Sequence, residues 1–216
     1  MENIEQYLEY TLLKPNTTIT DVRNLCEIAI EKGMGGVCIP PLFVREAKKL
    51  VGEYSKTKVV TVIGFPMGYS ALAAKTEEIK RAVDEGADEI DGMLNLAALK
   101  SNNWNHVEND IEGMALATNM RGRSMKLILE MGMLSEEDIK RISEFALKSR
   151  VKFLKTGTGY HGFDATPEMV KLLKKVADPS FKIKASGGVR TKAQAIALIE
   201  AGADRIGTSA ALDLLN

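Results

Sequence analysis

The run "VKFLKTGTGY", Val151 to Tyr160, sets a lysine among strand-forming residues and follows it with a Gly-Thr-Gly exit. A buried lysine must pair, lose its proton or do chemistry. A second lysine, Lys184, stands in the same position in "KIKASGG", just before another glycine-rich exit. If both point into one pocket, they have a specific chemical use. A lysine amine attacks a carbonyl only when unprotonated, and its free pKa is ~10.4. A neighbouring ammonium and partial desolvation both disfavour the charged form. The resulting amine forms a Schiff base near neutral pH. The protonated imine withdraws electrons, so an adjacent carbon can lose a proton or break a C–C bond. An acid such as Asp91, in "EIDGMLN", would shuttle the protons.

Strand alternation is what would gather these groups. With Lys155 inward, Val151, Phe153 and Gly157 share its side. Likewise Glu89, Asp91, Met93 and Asn95 share one face, as do Lys126, Ile128 and Glu130, and Lys182, Lys184 and Ser186. The simplest register turns the apolar faces to helices and the charged faces inward. Lys182, at its strand's start, falls at a solvated end. The bland alternative is a buried ion-pair network with no chemistry, since an unpaired buried charge costs several kcal/mol.

Eight strand-like runs alternate with amphipathic helical stretches. The runs are 9–13, 36–40, 59–66, 89–95, 126–132, 152–159, 182–188 and 204–209. Thr18, Asp21, Ser135 and Thr191 lie near helix starts. Eight βα steps predict an α/β fold, a (β/α)8 barrel with a parallel eight-stranded sheet, spanning 1–216 as one domain. The competing doubly wound sheet usually carries a Gly-rich loop after its first strand. "EYTLLKPNTTIT" has no glycine. Glycine-rich exits come late, at Gly187-Gly188 and Gly207, where barrels often build phosphate sites. "SNNWN", 101–105, reads as a polar surface loop.

Composition narrows the partners. Of 216 residues, 45% are hydrophobic and 27% charged, and 29 Lys+Arg balance 29 Asp+Glu. That balance gives no basic excess for nucleic acid. No apolar run approaches the ~18 residues of a membrane span. The N-terminus lacks a signal-peptide pattern. Cys26 and Cys38 read as reduced thiols of a cytoplasmic protein, with Cys38 a small packing residue near the site. His161 is expected in an exposed loop and His106 on the surface.

"EYTLLKP", "VCIPP", "TVIGFPMG", "DEIDGMLNLAALK", "KLILEMGML", "FLKTGTGY", "KASGGVR" and "AGADRIGTSAA" together resemble the ordered motifs of the 2-deoxyribose-5-phosphate aldolase family, from about Leu8 to Ala210. The resemblance implies a class I aldolase on a (β/α)8 barrel. It further implies a phosphorylated-sugar substrate, neither metal nor organic cofactor, and assembly as a dimer or tetramer. Lys155 corresponds to the Schiff-base lysine, Lys184 to the lysine that tunes it and Asp91 to the proton-relay acid. Gly159, Gly187, Gly188, Gly207 and Ser209 correspond to a phosphate cradle. The chain departs from the family's pattern at Glu9, Pro40, Gly157 and Met131, and is shorter after "GFPMG". Glu9, Pro40 and Gly157 are expected at the reacting end of the pocket. Two other readings stand beside the first: a Schiff-base aldolase for a different aldehyde pair, and a non-catalytic phospho-sugar binder.

Overall fold

Every strand of the computed structural model, which describes residues 3–215, is followed by a helix on the outside of a closed sheet. The strands are β1 (Leu8–Thr11), β2 (Gly36–Ile39), β3 (Lys58–Ile63), β4 (Glu89–Met93), β5 (Ser124–Ile128), β6 (Phe153–Lys155), β7 (Lys182–Ser186) and β8 (Arg205–Thr208). The helices are α1 (Ile19–Glu31), α2 (Val44–Val51), α3 (Leu72–Asp84), α4 (Leu96–Lys100), α5 (Trp104–Asn119), α6 (Glu136–Lys148), α7 (Pro167–Val176), α8 (Lys192–Glu200) and α9 (Ala211–Leu215). All neighbours pair in parallel, and β1 closes on β8 through Glu9 opposite Gly207. This is the (β/α)8 barrel that the alternation predicted.

Helix starts follow the expected chemistry. Thr18, Ser135 and Thr191 each accept from the third residue of their helix, and Asp21, Asp138 and Gln194 bond back to complete three capping boxes. Outward strand residues such as Ile63, Ile90, Leu127, Leu154 and Ile206 are fully buried under the helices. Inside, the barrel divides into sectors. Cys38, Val60 and Val62 on β2 and β3 form a small apolar cluster with Leu13 and Phe65. The strands from β4 to β7, with β1, carry charges instead. Trp104 opens α5 rather than lying in a polar loop, because Asn103 caps the helix there. Its ring packs on Phe145 and under the Arg141 guanidinium, 4.2 Å away. No helix among the described residues is long and apolar enough to cross a membrane.

One buried pair outside the barrel joins α3, α5 and the exit of β4. Lys75 donates to Asp110 at 2.7 Å and to the Met93 carbonyl at 3.0 Å. Both residues are buried. Gly64 makes room, since a Cβ there would sit 2.8 Å from Lys75 Cε. Burial pushes the Lys75 ammonium down and the Asp110 carboxyl up, against their mutual attraction. Removing one partner strands the other, which typically costs about 3–5 kcal/mol, whereas an apolar replacement of both is often neutral. Urea unfolding is therefore expected to show a loss of that size for Lys75→Met and recovery to near wild type for Lys75→Met with Asp110→Leu. In the single variant Asp110 binds its proton more tightly folded than unfolded. Its stability should then rise as pH falls from 7 toward 5. Equal losses in both variants would refute this account.

Candidate active site

Asp91 stands at the centre of the barrel because β4 points it inward and β5 sets Lys126 directly opposite in register. Lys126 donates to Asp91 Oδ1 at 3.0 Å. Lys155 from β6 and Lys184 from β7, themselves paired in register, both donate to Asp91 Oδ2, at 2.8 and 2.7 Å. Their two nitrogens are thus no further apart than the sum of those distances. Glu9 from β1 accepts from Lys184 and lies 3.6 Å from Lys126, which also pairs with Glu89 at 2.6 Å. Three carboxylates and three ammonium groups share one buried interior, with Glu9, Asp91, Lys126, Lys155 and Lys184 no more than 2% exposed.

Burial alone would push Glu9, Asp91, Lys126 and Lys184 toward their neutral forms, and here the partners of these four outweigh it. Lys126, Lys155 and Lys184 hold the Asp91 carboxyl well below its usual range, so it rests as a proton acceptor. Lys126 and Lys184 hold Glu9 low as well. Asp91 and Glu9 hold the Lys184 ammonium well above the usual lysine range, and Lys126 is raised likewise. The two carboxylates contribute stability above their unfolded pKa of ~4 and lose it as pH falls through their folded values. Lys126 and Lys184 contribute below ~10.4 and lose it as pH rises through theirs. The network is at full strength across the neutral range between those limits.

The three lysines are not equivalent. Lys126 and Lys184 each touch more than one carboxylate, whereas Lys155 has only Asp91 as an ion partner among the described residues. Lys155 also lines an open cavity of about 380 Å³, which neither of the others does. The exit above it is fixed on β7: the Thr156 hydroxyl donates to the Ser186 carbonyl and accepts its N–H, both at 3.0 Å. Gly159, Gly187, Gly188, Gly207 and Ser209 line the same cavity, so the structure gathers all the expected cradle residues around Lys155. Lys14 and Arg190 line it too, and no carboxylate does among the described residues. These two cations lay in the quoted motifs "EYTLLKP" and "KASGGVR" without being singled out.

The glycines have structural reasons besides an anion. A Cβ on Gly207 would crowd Lys184 Cε at 3.0 Å and Ser186 Cβ at 2.9 Å, so its bareness admits Lys184 to the barrel. Gly187 and Gly188 have positive φ, and their missing side chains would strike the Phe163 carbonyl and the Asp164 carboxylate. They let the loop after β6 close onto β7, where Ala165 N–H bonds the Gly187 carbonyl at 2.8 Å.

Several expected placements change. Glu9 lies beneath the reacting end, within the charge network, rather than facing the cavity. Gly157 faces Glu130 Oε1, 2.6 Å from where its Cβ would be, and Pro40 lines a separate apolar cavity. Met131 begins a short 3-10 turn beyond β5 and is buried. Glu130 is not a strand residue, because β5 ends at Ile128 and Glu130 has φ 57°. Its Oε2 accepts the Thr158 N–H and hydroxyl and meets His161 Nδ1 at 2.8 Å. His161 is therefore partly buried and tied down rather than exposed, whereas His106 is exposed as expected. Cys38 is a buried free thiol whose proton is held by burial, in keeping with packing.

Comparison with known proteins gives one consistent picture. Residues 6–215 match the model of the family described as DeoC/LacD family aldolase. The chain is 41% identical over 213 residues to the deoxyribose-phosphate aldolase of Thermococcus kodakarensis, covering 98% of this chain and 95% of that one. It is also 41% identical over 215 residues to the deoxyribose-phosphate aldolase of Halalkalibacterium halodurans, covering 99% and 95%. Among solved structures, the aldolase QR15 superposes with a TM-score of 0.92 at 36% identity, covering 99% of this chain and 95% of that one. The deoxyribose phosphate aldolase of Aeropyrum pernix, described as having a unique tetrameric structure, gives 0.91 at 30% identity, covering 99% and 90%.

Proposed function

The chain belongs to the DeoC/LacD family of aldolases, and from that membership we propose that it reversibly cleaves 2-deoxy-D-ribose 5-phosphate to D-glyceraldehyde 3-phosphate and acetaldehyde through a Schiff base on Lys155. The observation that carries the assignment is the difference among the lysines: Lys155 alone both touches Asp91 and lines the cavity. Its amine attacks the aldehyde carbon of the open-chain sugar, and loss of water leaves a protonated imine. The bond between the second and third carbons then breaks, and its electron pair moves into the enamine. The third carbon's hydroxyl gives up its proton and becomes the aldehyde of glyceraldehyde 3-phosphate. Protonation of the enamine and hydrolysis release acetaldehyde and restore the amine. Asp91, a carboxylate at rest, takes the hydroxyl proton through water and returns it to the enamine carbon. Lys184 keeps a positive charge beside the imine nitrogen and shares the Asp91 oxygen that Lys155 uses. The phosphate is placed among Gly159, Gly187, Gly188, Gly207 and Ser209, with Lys14 and Arg190 supplying charge.

Borohydride added with acetaldehyde is expected to reduce the imine and add 28 mass units (about, for one ethyl group replacing a hydrogen on a lysine amine) to the peptide containing Lys155. An adduct on Lys184 would overturn the roles, and no adduct would favour a non-catalytic sugar binder. Self-association belongs to the same proposal. Leu116 on α5, Met120 just past its end and Leu147 on α6 expose apolar side chains, and the Aeropyrum pernix relative is described as tetrameric. The balanced charge and two buried free thiols support a cytoplasmic setting.

A further inference from the structure

The barrel mouth holds a second cavity, of about 270 Å³, which the reaction above leaves unused. Pro15, Pro40, Pro41, Pro66, Val62 and Phe65 line it, and no charged side chain does among the described residues. It shares two lining residues with the first cavity, Leu13 and Tyr160. Those two are bonded to each other: the Tyr160 hydroxyl donates to the Leu13 carbonyl at 2.7 Å. The partition between the cavities is therefore a bridge from the loop after β6 to the loop after β1. The Tyr160 ring meets Phe65 edge-on with centroids 5.3 Å apart, and Lys155 Nζ lies 6.0 Å from the Phe65 ring centre. The apolar sector of Cys38, Val60 and Val62 runs up to the same place. The amine thus stands between two compartments of opposite chemistry. One carries Lys14 and Arg190 and the other is lined mainly by apolar side chains.

We propose that Tyr160 is a specificity-determining residue: it shuts the apolar cavity off from Lys155, and that cavity fits the hydrocarbon tail of an unphosphorylated aliphatic aldehyde. The inference rests on the Schiff-base reading of Lys155. An apolar cavity of about 150 Å³ already holds benzene. The larger one here has room for the five-carbon tail of hexanal. With Tyr160 in place the acceptor is confined to the cationic side, which selects for phosphate. Without it, an apolar acceptor reaches the amine from the other side. The chemistry needs no new reagent. The enamine of acetaldehyde on Lys155 forms a C–C bond to the aldehyde carbon of hexanal, and the carbonyl oxygen takes a proton. Water then hydrolyses the iminium, releasing 3-hydroxyoctanal and the free amine.

The test measures kcat/KM for acetaldehyde addition to butanal, pentanal and hexanal in the wild type, Tyr160→Phe and Tyr160→Ala. Tyr160 is 48% exposed, so its truncation leaves the core intact. Each methylene newly buried is worth about 0.8 kcal/mol, or roughly fourfold. Tyr160→Ala is expected to gain about that factor per methylene, with a slope near zero in the wild type and a shallow one in Tyr160→Phe, which keeps the ring. The ratio of hexanal to glyceraldehyde 3-phosphate should rise at least about tenfold in the alanine variant. Equal chain-length slopes in all three proteins would overturn the partition, provided that the wild type traps acetaldehyde on Lys155. No acetaldehyde adduct in the wild type would instead bring down the Schiff-base reading and this inference with it.

Discussion

Lys184→Leu is expected to lower kcat/KM for deoxyribose 5-phosphate at pH 7 by about 10²–10³ and to move the acid limb of the rate profile to higher pH. The interior balances Glu9, Glu89 and Asp91 against Lys126, Lys155 and Lys184. Deleting one cation leaves a net negative charge, which favours the ammonium form of the remaining lysines. Imine formation needs the free amine, and each pKa unit, ~1.4 kcal/mol, removes about nine-tenths of it. A second loss comes from Glu9, whose closest ammonium partner disappears while its other oxygen already lacks a hydrogen bond. Breaking a buried pair in this way typically costs about 3–5 kcal/mol. Two variants separate the contributions. In Lys184→Leu with Glu9→Leu the charges balance again. The stability and the pH profile should therefore return toward wild type. The rate should stay low if Lys184 also acts directly beside the imine. A profile that stays fixed in the single variant, with only KM raised, would show that Lys184 binds substrate and does not tune Lys155.

What could be read from the sequence followed from alternation. A strand's period of two, applied to "EIDGMLN", "FLKT" and "KASGG", is enough to turn Asp91, Lys155 and Lys184 inward, and the barrel does bring them onto one carboxylate. The same rule failed for Glu130, because no residue in "KLILEMG" announces that β5 stops at Ile128. Lys126 was placed on the inner face, yet its contact with three carboxylates needed the closed barrel. Lys75 was invisible. In "AKTEEIKRAVDEG" it looks like any solvated helix lysine, and only the packing of α3 on α5 gives it Asp110. His161 is similar, since its partner Glu130 lies 31 residues away in sequence. The glycines taught half the lesson. Each does mark a close approach, but the approaching group is partly protein: Lys184 at Gly207, Phe163 at Gly187 and Asp164 at Gly188.

Removing the substrate phosphate is expected to cost about 10³ in kcat/KM, with kcat falling as well as KM rising. The cavity around Lys155 combines Lys14 and Arg190 with bare glycine backbone, and no described carboxylate lines it. An anion held there is remote from the bond that breaks, so its binding energy can fix the imine carbon against Asp91 and its water. Deoxyribose should then bind loosely and also react slowly once bound. Gly188→Val is a poor probe of this site. Its Cβ would lie 1.8 Å from an Asp164 oxygen, on a backbone with φ +67°, so the loop after β6 would move. Arg190→Gln removes charge without that displacement, because the Arg190 bond to Gln194 uses the backbone N–H. The variant should lose about tenfold or more with deoxyribose 5-phosphate, a charge-assisted bond being worth ~1.5–3 kcal/mol, and almost nothing with deoxyribose. Added salt should weaken the wild type on the phosphorylated substrate alone, since exposed charges are screened. If deoxyribose and its 5-phosphate gave comparable kcat/KM, the cationic cavity would have no anion to hold. The reading with a Schiff base on Lys155 and a different, unphosphorylated aldehyde pair would then take its place.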